Sequence, residues 1–404
     1  MFAKVLPVFA AVAGIASAAN SACTKTTFTL SSQADIDALS SCSTLTGDVV
    51  LSGSTAAALN IGSIETIDGD LTLTNNNIIS TLQSSTLEKV TGAFHLQNLT
   101  TLSTLSFTKL TSVGSINFIS LTTLNALTFT AGVTSADSIV ISDTFLASLD
   151  GIDVKSADTI NINNNRRLVE YTSSIGNLST LLNINANGQD LAVNFPNLIW
   201  IANMTISNVS SFSIPSLKVV NGSMRFDSNF FSNFTAPNLT STTSGDVSFV
   251  SNADLTNITI PGLTTVGGGF QIANNTALNK INGFDKLKTV NGAIKMRGNF
   301  TEIDLPALGD VKGAFSIVST SDITDSCTAF KKLSSSSNGG NGDIQGTFTC
   351  ESDVANANSD TNPTSTSSSS GSKSTGTDSG AAGLSVNSLA VLGLAGVAVF
   401  AQLL

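Results

Sequence analysis

Few side chains in this 404-residue chain are of types that do chemistry: there is one histidine, His95, there are four cysteines, and 11% of residues are charged. A histidine can serve as a general base. To do so it needs an acid to orient its ring, and the repeat described below places Thr72 and Asn117 beside it, neither of which is one. Asp48 and Asp70 hold equivalent places in adjacent repeats. That puts their carboxylates about one strand spacing apart, ~5 Å, near the separation of a retaining glycosidase pair. The competing reading, a solvated acidic edge beside the end of the domain, is preferred. Gly267, Gly268 and Gly269 would cradle a phosphate only if a helix followed, and alternating strand residues follow instead. Arg166 and Arg167 are an isolated basic pair in a loop, and one histidine with four disulfide-type cysteines makes no zinc site. No catalytic, cofactor-binding or metal-ligating residue is assigned, and the chain is read as no enzyme.

These side chains are positioned by a repeat. The stretch Pro261 to Asn275, PGLTTVGGGFQIANN, sets Leu263 and Val266 before a glycine, then alternates Phe270 and Ile272 with Gln271, and closes on Asn274 and Asn275. Aligning its copies on the first inward strand residue gives Val49, Leu71, Phe94, Ile116, Ile139, Ile160, Leu182, Met204, Met224, Val247, Phe270, Ile294 and Phe315. A period near 22 residues, kept over that many units, predicts a solenoid in which each rung buries its apolar face against its neighbours. Segments between these strands, such as NLTTLSTLSFTKL, are rich in Thr, Ser and Phe, so they read as short strands and corners rather than helices. The predicted fold is all-β: a right-handed parallel β-solenoid of about 13 rungs, roughly 60 Å long at the usual strand spacing.

Pro196, Pro215, Pro237, Pro261 and Pro306 each stand two residues before a Leu that opens a rung, which places proline at a corner. Asn75, Asn98, Asn164, Asn187, Asn208 and Asn274 follow the anchors by four or five residues and read as a structural ladder bonding backbone groups at the bend. The outward row, which includes Thr72, His95, Asn117, Asn161, Thr205, Arg225, Gln271 and Lys295, holds no acid.

Residues 1–18 carry an apolar run and small residues at Ala16 and Ala18, the pattern of a signal peptide cleaved after Ala18. Cys23 and Cys42 precede the first rung, and Cys327 and Cys350 follow the last. Cysteines at opposite ends of a long solenoid cannot meet, so Cys23 is expected to pair with Cys42 and Cys327 with Cys350. SSQADIDALSSC reads as a short helix capped by Ser31 or Ser32, lying over the open end of the repeat stack in residues 23–350. Residues 351–380 are dense in Ser and Thr and read as a disordered stalk. Residues 381–404 end in LAVLGLAGVAVFAQLL with no Lys or Arg after it, which reads as a removable GPI-attachment signal with Gly380, or alternatively Ser379, as the attachment residue.

The chain is acidic, with net charge −10, and offers no basic patch for nucleic acid. Sequons at Asn177, Asn203, Asn221, Asn233, Asn238, Asn257 and Asn299 are candidate N-glycosylation sites. Those at Asn98, Asn208 and Asn274 are set apart, because they fall on ladder positions where an inward side chain has no room for a glycan.

The order of features along the precursor resembles the fungal GPI-anchored "extracellular mutant" wall-organisation proteins and their sporulation-specific relatives. Carrying the resemblance are Cys23, the ADIDALSSC helix, the TGDVVLSG first rung, the Pro-x-Leu and Val-x-Gly blocks, the second cysteine pair, the Ser/Thr stalk and the apolar tail. The repeat is also similar to receptor L domains. The resemblance implies a glycoprotein on the outer face of the plasma membrane or in the wall, held by a GPI lipid and needed for wall integrity and morphogenesis. Wall glucan or mannoprotein would be its partners, and no cofactor is implied. A lectin-like binder of wall glycan is the alternative, and a β-helix glycan-active enzyme a third reading. Between 128 and 195 the Val-x-Gly block is replaced by Ala136-Asp137 and Ala157-Asp158.

Overall fold

The structure, a computed structural model, describes residues 21–53, 56–336 and 339–358. The expected signal peptide, the attachment residues Ser379 and Gly380, the apolar tail and the stalk from residue 359 on lie outside the described residues.

The described chain is a parallel β-solenoid. One turn serves for all: Thr66–Asp68 and Leu71–Thr74 lie on the main sheet, the chain bends at Asn75, and Thr81–Ser84 forms a shorter strand before Lys89 opens the next turn. The main sheet has 22 strands, and four smaller sheets are built from the short strands. Every anchor pairs with the next: Val49 with Leu71, Leu71 with Phe94, Phe94 with Ile116, and so on to Ile294 with Phe315. The register holds through 128–195, where Ile139 faces Ile160 and Ile160 faces Leu182. It also extends one strand at each end, with Phe28 opposite Val49 and Phe348 opposite Phe315.

Stacked anchors and their partners two residues on make one continuous apolar core. Inside it Phe94 meets Phe107 and Phe118 edge-on at 5.0 and 5.3 Å, and Phe226 stacks on Phe249 at 4.8 Å. Glycine stands two residues before the anchor where backbones of successive turns touch. A Cβ on Gly245 would lie 2.1 Å from the carbonyl carbon of Gly222, and one on Gly292 would lie 2.7 Å from that of Gly268. The prolines take the corners as expected: Leu217 N–H donates to Ile214 O and Leu263 N–H to Ile260 O across turns with Pro215 and Pro261 at their second position.

At one end α1 (Gln33–Asp37) is capped by Ser32, with Asp35 completing a capping box, and the Cys23–Cys42 disulfide ties it down. At the other, Cys327 on α2 (Thr324–Lys331) is joined to Cys350 in the last strand. The helix α2 was not expected. Phe330 on its inner face is buried against Phe315, ring centroids 5.0 Å apart.

Two expectations are corrected. Residues 351–358, assigned to the stalk, pack on the last turns: Val354 N–H donates to Ser319 O, Asp353 N–H to Ser321 O, and Ala357 is buried. The asparagine ladder lies one residue further on than most of the residues assigned to it. Asn75, Asn98, Asn164, Asn208 and Asn274 are the left-handed corner residues, with φ between 51° and 58°, and none of them is buried. The buried amides are Asn76, Asn165, Asn187, Asn229, Asn252 and Asn275. The objection to Asn98, Asn208 and Asn274 as sequons, an inward side chain, therefore does not hold.

Candidate functional site

The pair that could have been catalytic is occupied by the fold. Asp48 and Asp70 sit at the bend of the main sheet, where the glycine column brings backbones together and the strand ladder is interrupted. Asp48 Oδ1 accepts the N–H of Asp70 at 3.0 Å, and Asp70 Oδ1 accepts the N–H of Ala93 at 2.7 Å. Asn203 and Asp246 do the same for Ser223 at 3.0 Å and Gly269 at 2.6 Å. A carboxylate or amide at this place replaces the backbone carbonyl that the bend removes, so either side chain serves. Charge is not what the position requires.

The remaining candidates are likewise absorbed. His95 Nε2 lies 3.2 Å from Gln97 Oε1 on the exposed face, with Thr72 and Asn117 as its neighbours across the sheet. Arg167 stacks over Phe145 at 4.5 Å. The amides of Gly267, Gly268 and Gly269 donate to Thr242, Gly245 and Asp246, leaving no anion nest. Among the described residues no group of three or more His, Cys, Asp or Glu side chains is placed to hold a metal ion.

What the sheet does present is a face poor in charge. Over five consecutive strands from Ser112–Leu121 to Met204–Ser207, the outward positions carry Ser, Thr and Asn, with Ile119, Val140 and Leu181 half-buried among them. Asp137, Asp158 and Asp143 stand at its margins. The amides are tied together: Asn163 and Asn183 donate to Asn161 Oδ1 at 3.0 and 2.9 Å, and Ser142 donates to Asn163 Oδ1 at 2.7 Å. Sequence reasoning passed over Asn163, Asn183 and Asn185. The signal was present in NINNN at 161–165 and NINAN at 183–187, where alternate asparagines in a strand must share a face.

The chain is similar to "Protein ecm33" of Aspergillus fumigatus, 39% identical over 347 residues that cover 86% of this chain and 84% of that one. This Ecm33 likeness decides the matter. The chain belongs to the Ecm33 family. It is also similar to a "Cell surface GPI-anchored protein" of Arthroderma benhamiae, 38% identical over 84% of this chain and 85% of that one. A third relative is "Cell wall protein ecm33" of Schizosaccharomyces pombe, 32% identical over 76% of this chain and 73% of that one. The second and third of these relatives are named for the cell surface and the cell wall, and none of the three is named for a reaction. No family profile and no solved structure matches the chain.

Proposed function

We propose that this Ecm33-family chain is a non-catalytic wall-facing protein, held at the cell surface by a GPI lipid, that organises the wall as a rigid scaffold. The observation that carries this reading is the use of Asp48 and Asp70: both members of the one plausible acid pair accept backbone N–H groups of the following strand. The names of the relatives support the location. The test is growth of a null fungal strain on wall-stressing dyes, complemented by each variant at matched surface expression. Asp48→Asn, Asp70→Asn and His95→Ala should complement nearly fully, since an amide keeps the acceptor that the bend needs. If Asp70→Asn alone behaves as the null while the protein stays folded and anchored, the chain has a carboxylate-dependent activity and the scaffold reading fails.

A second reading rests on the charge-poor face. Stacked amides offer donor and acceptor together, and half-buried Ile119, Val140 and Leu181 lie among them, which suits a neutral polysaccharide rather than a charged partner. It has its own readout in the same strains: retention of the extracted protein on insoluble wall glucan, which Asn161→Leu combined with Asn183→Leu should abolish.

A further inference from the structure

Phenylalanine does the aromatic work of the core: of 22 in the chain, twelve head the list of largest fully buried side chains. The single tryptophan, Trp200, is instead half-buried on the outer surface. It stands on the strand Trp200–Ile201, paired with the strand Asn177–Asn185 so that Trp200 lies directly beside Asn177. The next residues of the two strands, Leu178 and Ile201, are fully buried, so Asn177 and Trp200 both face outward, about 4.8 Å apart along the stack. Asn177 opens the sequon Asn177-Leu178-Ser179 and is exposed.

The sequon asparagines also differ in what their amides do. Eight of the ten donate a side-chain N–H to another protein atom. Asn177 and Asn221 make no such bond among the described residues, so a sugar on either nitrogen displaces nothing. Of these two, Asn177 has the indole beside it.

We propose that Asn177 carries an N-linked glycan whose first N-acetylglucosamine lies on the face of Trp200. In the secretory pathway Asn177 Nδ2 takes C1 of the sugar from a lipid-linked oligosaccharide diphosphate. The N–C1 bond forms as the C1–O bond to phosphate breaks, the amide loses one proton, and the lipid diphosphate leaves. The apolar C–H face of the pyranose then covers the exposed face of the indole, which removes apolar surface from water at no cost in protein hydrogen bonds. This assigns a role to an aromatic side chain that the core does not use.

The single tryptophan makes the test direct. The full chain is expressed in a fungal host, site occupancy is measured by glycopeptide mass spectrometry, and acrylamide quenching of Trp200 emission is compared among variants. Asn177 should be occupied. Because Trp200 is already half-buried and a stacked sugar covers its exposed face, the quenching constant should fall at least about two-fold below that of Asn177→Gln. The emission maximum of Asn177→Gln should shift to the red, and Asn221→Gln should change neither property. Ser179→Ala, which abolishes the sequon while keeping Asn177, should reproduce the shift and so separates loss of the glycan from misfolding of one variant. An unmodified Asn177 overturns the proposal. So does a modified Asn177 whose loss by both routes leaves quenching unchanged, or an equal effect from Asn221→Gln.

Discussion

Asn252 is the middle of the buried amide column, and replacing it with alanine measures what that column contributes. Its side chain is fully buried and engaged in five hydrogen bonds. Nδ2 donates to Phe226 O at 3.0 Å, Val250 O at 3.1 Å and Asn275 Oδ1 at 3.0 Å, while Oδ1 accepts from the backbone and side-chain N–H groups of Asn229, both at 2.9 Å. Some partners keep another bond: Asn275 Oδ1 still accepts from Asn252 N–H, and Asn229 Nδ2 still donates to Ile206 O. Two backbone groups, Asn229 N–H and Phe226 O, would lose the partner the corner gives them. At about 1–3 kcal/mol for each buried unsatisfied group, Asn252→Ala should cost roughly 4 kcal/mol. In a solenoid that loss falls on the adjacent turns first. Urea unfolding followed by circular dichroism gives the total, and amide exchange at Asn229 gives the location. Asn161→Ala, on the outward face, should cost no more than about 1 kcal/mol. A loss under about 1 kcal/mol for Asn252→Ala, with Asn229 still protected, would refute the claim that the amide column holds the corner.

Gly245→Ala places a methyl 2.1 Å from the carbonyl carbon of Gly222 and 2.3 Å from the nitrogen of Ser223, both backbone atoms of the preceding turn. It should cost about 3 kcal/mol or more and depress secreted yield, so near wild-type yield would count against backbone contact as the reason for the glycine column. At α1, the backbone N–H of Ser31, then the hydroxyls of Ser31 and Ser32, hold the Asp35 carboxyl below its ordinary value of 3.8. A carboxylate held low in the folded chain adds stability above the unfolded value, and that stability is lost as pH falls through the folded one. Wild type and Asp35→Asn should therefore differ in unfolding midpoint at neutral pH and converge as the pH falls below 3.8 and through the lower folded value, and a gap that persists in strong acid refutes the capping role.

The register was legible because parallel stacking puts like residues in columns. Period-2 alternation from Ile139 to Ile141 and from Ile160 to Ile162 sufficed even where the glycines are replaced by Asp137 and Asp158. What the sequence hid follows from local backbone geometry. A left-handed residue breaks the alternation of side chains, so after Asn164 at φ 58° it is Asn165 that points inward, where a strict period of two sends it out. Two adjacent asparagines look alike in the sequence and do opposite things. The helix α2 was illegible because its residues, TDSCTAFK, are poor helix formers, and what holds it is the disulfide and the seat of Phe330. The end of the domain was misplaced because residues 351–358 are held by backbone bonds, which leave no trace in composition.

The same division between columns explains where specificity can reside in such a chain. Inward columns are committed to apolar stacking, the bend column to glycine, and the column after it in several turns to an acceptor such as Asp48, Asp70, Asn203 or Asp246. Outward columns carry no such duty, so their chemistry is free to follow a partner. On the charge-poor face Asn161 Oδ1 receives N–H groups from both Asn163 and Asn183, while its own N–H groups make no bond to protein among the described residues. An amide whose oxygen is fixed by two neighbours is held in one orientation, with its donors facing outward. Water can satisfy those donors, but so can the oxygens of a polyol lying across the strands. A charged partner would gain nothing from donors of this kind that it could not gain elsewhere on a surface that carries net charge −10. This ordered amide row is the feature on which the proposed binding of a neutral wall polysaccharide rests.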